Sequence, residues 1–149
     1  MLELKKRLST ILDSPKMVVE EKLKKICVLL DQEISHYNWT GFYFRNGDKD
    51  ELILGPYVGA ETDHTVIPYG KGICGQVAIS GETFEVPDVN AQDNYLSCSI
   101  DTKAEIVVPS FKNGENIGQI DIDSHSIDPF TEDDKEMLNW LCDKIGKIL

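Results

Sequence analysis

Five side chains in this 149-residue sequence have the types and spacing to do redox and proton-transfer chemistry: Cys74, Cys98, Glu105, Asp121 and Asp123. Cys98 lies in the polar stretch "NAQDNYLSCSIDTK", and Glu105 follows seven positions later at the mouth of the most apolar segment, "EIVVPSF". Asp121 and Asp123 alternate with Ile120 and Ile122 in "NIGQIDIDS". The period of two puts both acids on one face of a strand and both isoleucines on the other. Aspartate is depleted in strands, so two readings stand. Either the acids are ordinary solvent-facing residues, or Glu105, Asp121 and Asp123 converge on one sheet face. In a covered pocket, burial and mutual repulsion would keep a proton on one of them and make it a general acid. The same cluster would suit a substrate ammonium.

Of the four cysteines, Cys27 and Cys142 fall on the apolar stripes of helical segments, where a thiol acts as a small hydrophobe. Cys98 has no apolar periodicity around it, which leaves an incidental exposed thiol or a reactive one. Cys74 sits in "GKGICGQV", where Lys71 and the first turn of a following helix would stabilise a thiolate. A buried cysteine beside a glycine turn is the equal alternative. The cysteines are too far apart for a CxxC motif and too few for a secreted disulfide scaffold. A metal site from His64, Cys74, Cys98 and His125 is disfavoured by its scattered spacing. No metal and no cofactor is expected, since the glycine turn lacks the context of a phosphate cradle. Trp39 and Tyr43, four apart on one strand, share a face as core packing or as the aromatic wall of a pocket.

These residues need a scaffold, and the periodicities supply one. Helical spacing runs over Leu2 to Leu12 and again from Pro15 to His36, with Pro15 placed as a helix start. "NWTGFYF", a glycine turn and "ELILGPYVG" read as a hairpin, and "HTVIP" as a third short strand. Ile73, Val77 and Ile79 suggest a short helix ending at Gly81. "EIVVPSF" and "NIGQIDIDS" form a second hairpin across the "KNGE" turn. Thr131 is the N-cap of a closing helix with Leu138, Leu141, Cys142, Ile145 and Leu149 in its stripe. The expected class is α+β: one antiparallel sheet with terminal helices packed on one face and ligand-covering loops on the other. A single domain over 1–149 is expected, with helices in 1–36, sheet and pocket loops in 38–125, and the last helix in 131–149.

The formal net charge of −11 repels phosphate backbones and anionic membranes, so neither nucleic acid nor membrane is an expected partner. No apolar run approaches a bilayer span and the N-terminus has no signal-peptide block, which points to the cytoplasm. A homodimer is compatible with the chain.

Together, "NWTGFYF", "LILGPYVG", "IPYGKGICG", "VPDV", a cysteine seven before "EIVVP", and "IGQIDIDS" followed by "FTEDD" resemble the free methionine-(R)-sulfoxide reductases built on a GAF domain. The resemblance runs in order from about Asn38 to the final helix. It implies Cys98 as catalytic cysteine, Cys74 as resolving thiol, Glu105, Asp121 and Asp123 as pocket carboxylates, and Trp39 and Tyr43 as pocket aromatics. It also implies free methionine sulfoxide as substrate and thioredoxin as reductant. Two positions depart from the family pattern: His64 stands where a third cysteine is common, and Ser99 follows Cys98 where Asp is usual. A non-catalytic GAF binding module and a thiol redox sensor are the rival classes.

Overall fold

The computed structural model describes residues 1–96 and 100–149. The helical spacing near the N-terminus gives α1 (Leu2–Leu12) and α2 (Val19–Glu33). α2 begins four residues later than Pro15. Residues 14–18 instead turn the corner between the helices, with Val18 extended ahead of the first helical turn. The Lys22 ammonium donates to the Leu12 carbonyl at 2.6 Å, which closes the end of α1 and leaves Pro15 in a turn that needs no N–H from it.

The sheet has six strands: β1 (Trp39–Arg45), β2 (Glu51–Val58), β3 (Val66–Pro68), β4 (Phe84–Val86), β5 (Ala104–Lys112) and β6 (Glu115–Ser124). Every adjacent pair is antiparallel in the order β3-β2-β1-β6-β5-β4. The two expected hairpins, β1–β2 and β5–β6, meet through β1 and β6 in the middle of the sheet. β4, as short as β3, was not expected from the sequence, where "TFEVPDV" runs directly into a polar loop. Among the described residues two further α-helices follow, α3 (Gly72–Ser80) and α4 (Glu132–Ile148). α3 ends at Gly81 with φ 69°, the left-handed turn that glycine adopts without steric cost.

The period-two alternation divides the interior into two apolar clusters. Phe42, Ile106, Ile120 and Ile122 point to one face and pack under α1, α2 and α4. Trp39, Tyr43, Val86 and Val107 point to the other, where Ile73 and Val77 of α3 cover them. The terminal helices thus occupy one face as expected, and α3 lies among the loops of the opposite one. Gly41 sits between Trp39 and Tyr43 on that loop face, where a Cβ would collide with the Trp39 ring. Its absence lets the indole lie flat along the strand.

α4 is fixed to the sheet side by a buried carboxylate. The Thr131 hydroxyl accepts from the Asp134 N–H, and Asp134 accepts from the Thr131 N–H, forming a capping box. Asp134 also accepts from the Tyr37 hydroxyl at 2.7 Å and lies 3.0 Å from His36 Nε2. Burial pushes this carboxyl up, but the Thr131 N–H, the Tyr37 hydroxyl and His36 outweigh it and hold it below the usual carboxylate range. A depressed carboxyl contributes stability that is present above its unfolded value and lost as pH falls through the folded one. Asp134→Ala should cost about 2–4 kcal/mol, combining a lost cap with a buried tyrosine hydroxyl left unsatisfied. In urea denaturation the gap between wild type and Asp134→Asn should begin to narrow as pH falls through about 4, where the unfolded state takes up its proton, and should close only below the lower folded value, where both states are protonated. Asp133→Ala, at an exposed neighbouring position, is the control and should change little.

Candidate active site

Strand register assembles the acids. Asp123 of β6 stands opposite Trp39 of β1 on one side and Glu105 of β5 on the other, and Glu105 in turn faces Val86 of β4. In the next row along, Asp121 stands between Gly41 and Val107. All three carboxylates therefore project from the loop face in adjacent positions, the second of the two readings the sequence left open. Their relative exposures are 2% for Glu105, 1% for Asp121 and 1% for Asp123. Like charges directly opposite in a sheet are destabilising, and burial adds to the cost.

A proton held within the cluster would relieve part of that cost. Asp121 shares hydrogen bonds with Glu105 and with the Cys74 thiol. Two carboxyl groups can bond to each other only if one is protonated. Burial pushes Asp121 above its ordinary value, against the pull of Glu105, Cys74 and the nearby His64. Asp121 Oδ1 and the Oε1 of Gln119, two residues earlier on the same face, find no hydrogen-bond partner among the described residues. Gln119 donates through Nε2 to the Cys74 carbonyl at 3.1 Å, which ties α3 down onto β6.

Cys74 lies in the first turns of α3, directly over the acids, with Sγ 4.0 Å from Glu105 Oε2. Lys71 and the helix start do not set its character. Burial, then the charges of Asp121, Glu105 and Asp123, push the thiol well above its ordinary range. The buried reading of Cys74 therefore holds, and the expected thiolate stabilisation does not. Among the described residues, Cys74, Glu105 and Asp121 are the one group of thiol, imidazole and carboxylate donors close enough to grip a cation, with ligand atoms within 4.8 Å of one another. His125 is exposed and takes no part.

These groups line a cavity of about 10 Å³, together with Tyr43, His64, Ile67, Lys71, Gly72, Ile73 and Leu96. That is room for about one water molecule. Trp39 stacks on Tyr57 at 5.3 Å and on Tyr43 at 6.4 Å between ring centroids, and its indole donates to the Ala60 carbonyl at 3.0 Å. The Tyr43 hydroxyl donates to the His64 carbonyl at 2.8 Å, holding the 59–65 loop over the sheet. Tyr43, Cys74, Glu105 and Asp121 thus meet at the cavity, Trp39 and Asp123 stand in the adjoining row, and Cys98 lies outside the described residues. Cys27 and Cys142 are core residues whose thiols burial pushes up to about 12. A larger open groove of about 1010 Å³ runs between α2 and β2, but its lining has no thiol and no buried carboxylate.

The sequence reading passed over Leu96, Gln119 and Asn94. Gln119 was within reach, since it continues the alternation of Asp121 and Asp123. Leu96 carried a weak signal as a lone apolar residue in a polar loop. Asn94 carried none.

The GAF domain family model matches residues 19–149. A curated relative, the free methionine-R-sulfoxide reductase of Saccharomyces cerevisiae, is 43% identical over 112 residues, covering 74% of this chain and 62% of its own length. The chain thus spans less than two thirds of that relative. The structure of fRMsr of Staphylococcus aureus in its reduced form superposes with a TM-score of 0.90 at 35% identity, covering 99% of this chain and 94% of that one. The free methionine-R-sulfoxide reductase of Neisseria meningitidis, solved in complex with its substrate, superposes with a TM-score of 0.88 at 34% identity, covering 97% and 84%. With a buried thiol–carboxylate cluster on the loop face of the matching fold, this chain belongs to the GAF-domain family of free methionine-R-sulfoxide reductases.

Proposed function

We propose that the protein reduces free methionine-(R)-sulfoxide to methionine, and that the buried row of Glu105, Asp121 and Asp123 is the part of the site that reads the free amino acid. The observation that carries this reading is the placing of three carboxylates and one thiol on a single covered face, more negative charge than one proton donor needs. The Cys98 thiolate attacks the sulfoxide sulfur while a carboxylic acid, Glu105 in this reading, protonates the oxygen. Methionine leaves and Cys98 becomes a sulfenic acid, so the sulfur of the substrate is reduced by two electrons and that of Cys98 is oxidised by two. Cys74 then condenses with the sulfenic acid, releasing water and forming a disulfide. An external dithiol, thioredoxin, reduces it.

A thiol raised far above its ordinary range suits a resolving role, because it stays protonated until the sulfenic acid is formed. Glu105 Oε2, 4.0 Å from Sγ, is placed to accept its proton at that moment. Trp39 and Tyr43 form the aromatic side of the pocket. Among the described residues no helix is long and apolar enough to cross a membrane, and dependence on a dithiol reductant suits the cytoplasm.

Oxidation by one equivalent of substrate should join Cys74 to Cys98. Peptide mass mapping that instead finds Cys27 or Cys142 in the bridge would refute the assignment. Cys98→Ser should abolish even a single turnover, whereas Cys74→Ser should release one equivalent of methionine and then stall with thioredoxin, because an imidazole at position 64 cannot condense with a sulfenic acid. Normal cycling by Cys74→Ser would mean that another thiol resolves.

The carboxylate row makes a second demand. N-acetylation removes the α-ammonium and leaves buried charge uncompensated, a penalty of about 3–5 kcal/mol. kcat/KM for N-acetyl methionine-(R)-sulfoxide should therefore fall by orders of magnitude below that for the free amino acid. Comparable values would show that the carboxylates do not read the ammonium.

A further inference from the structure

The cavity beside Cys74 is too small for any amino acid, and one of its walls differs from the others. Ile67 and Ile73 belong to β3 and α3, and Tyr43 to β1, whereas Leu96 comes from the loop after the 3₁₀ turn Val89–Ala91. Leu96 lies against Gly72, where an added Cβ would stand 3.0 Å from its Cγ, and Gly72 carries a positive φ of 62°. Two residues earlier, Asn94 fastens this loop to the start of α3. Its Oδ1 accepts from the Gly72 N–H at 2.8 Å and its Nδ2 donates to the Gly70 carbonyl at 2.6 Å. Gln76 Nε2 donates both to the Asn94 carbonyl at 3.1 Å and to the Gly72 carbonyl at 2.9 Å. Three of these hydrogen bonds hold an otherwise irregular loop at one point, the fourth fixes the Gln76 amide within α3, and that point presents an apolar side chain to the cavity.

We propose that Leu96 is the specificity-determining residue for the alkyl group on the substrate sulfur, and that Asn94 and Gln76 are positioning residues that set how far Leu96 reaches into the site. This rests on the proposed reductase activity at the same pocket. The carboxylates bind the charged end of an amino acid. Its sulfur must lie toward a redox-active thiol, and the sulfur's alkyl substituent must then meet the apolar side of the cavity. Among the described apolar groups there, Leu96 alone is carried by a loop, so the bonds that anchor Asn94 set how closely its side chain meets the substituent. Shortening it adds the volume of about one longer alkyl group. One methylene in an apolar pocket is worth about 10- to 200-fold in discrimination.

The test compares free methionine sulfoxide with free ethionine sulfoxide, one methylene larger, on the whole chain with thioredoxin as reductant. Wild type should favour the methyl compound. Leu96→Ala should shift the ratio of kcat/KM toward the ethyl compound by about tenfold or more, whereas Asn94→Ala and Gln76→Ala should raise KM for both with kcat nearly kept. Asn94→Asp retains the acceptor for the Gly72 N–H and loses the donor to Gly70, so its KM should fall between wild type and Asn94→Ala. An unchanged methyl-to-ethyl ratio in a folded, active Leu96→Ala would overturn the proposal while leaving the reductase reading intact. Absence of turnover in wild type would sink the reductase reading instead. Calorimetric binding of the two sulfoxides to wild type and Leu96→Ala then decides the proposal without catalysis, and equal discrimination in both proteins, or no binding at all, would overturn it.

Discussion

Three carboxylates buried side by side on one face of a sheet are the constraint around which the rest of this molecule is arranged. An isolated buried charge costs several kcal/mol even after relaxation, and here Glu105 and Asp123 stand directly opposite each other with Asp121 in the next row. Only strong support elsewhere makes such a row tolerable. Each of Ile106, Ile120 and Ile122, which alternate with the acids on the same two strands and are fully buried, stabilises the fold by about 1.5–3 kcal/mol. One face of the β5–β6 hairpin thus offsets the cost of the other. A proton shared between Glu105 and Asp121 would lower the remaining charge, and an incoming ammonium would lower it further.

The two buried acidic centres show how environment divides one chemistry into two roles. Asp134 receives bonds from the Thr131 N–H, the Tyr37 hydroxyl and His36, and is held ionised as the cap of α4. Asp121 receives fewer compensating bonds under comparable burial, and is pushed toward the neutral acid. The first is a satisfied structural anion. The second has an oxygen without a partner and faces a cavity, which is the condition in which a carboxyl group binds or donates a proton to something from outside.

Much of this was legible wherever the signal is local. The Ile–Asp alternation of β6, the Thr131 cap and the Gly81 stop each depend on residues within a few positions of one another, and each stands where periodicity or capping rules put it. The state of Cys74 was not legible, because its neighbours in sequence, Lys71 and a helix start, argue for a thiolate. Burial against the sheet decides the matter first, and the charges that add to it arrive from strands more than thirty residues further along. The start of α2 was misplaced for a similar reason, since Pro15 is compatible with a helix start and the tertiary corner closed by Lys22 overrides it. Leu96 and its Asn94 anchor depend on contacts between a loop and a helix about twenty residues apart in sequence, which no period records.

The central claim is that the pocket holds a protonated carboxyl group whose surroundings change when an amino acid's ammonium enters, while its proton stays for the sulfoxide oxygen. Difference infrared spectroscopy at neutral pH reads this directly through the C=O stretch of a carboxylic acid. The account predicts such a band in the ligand-free protein, its loss in Asp121→Asn or Glu105→Gln, and a shift in its frequency when free methionine is added but not when N-acetyl methionine is. A spectrum without a carboxylic acid band at neutral pH, or a band indifferent to free methionine, would contradict it.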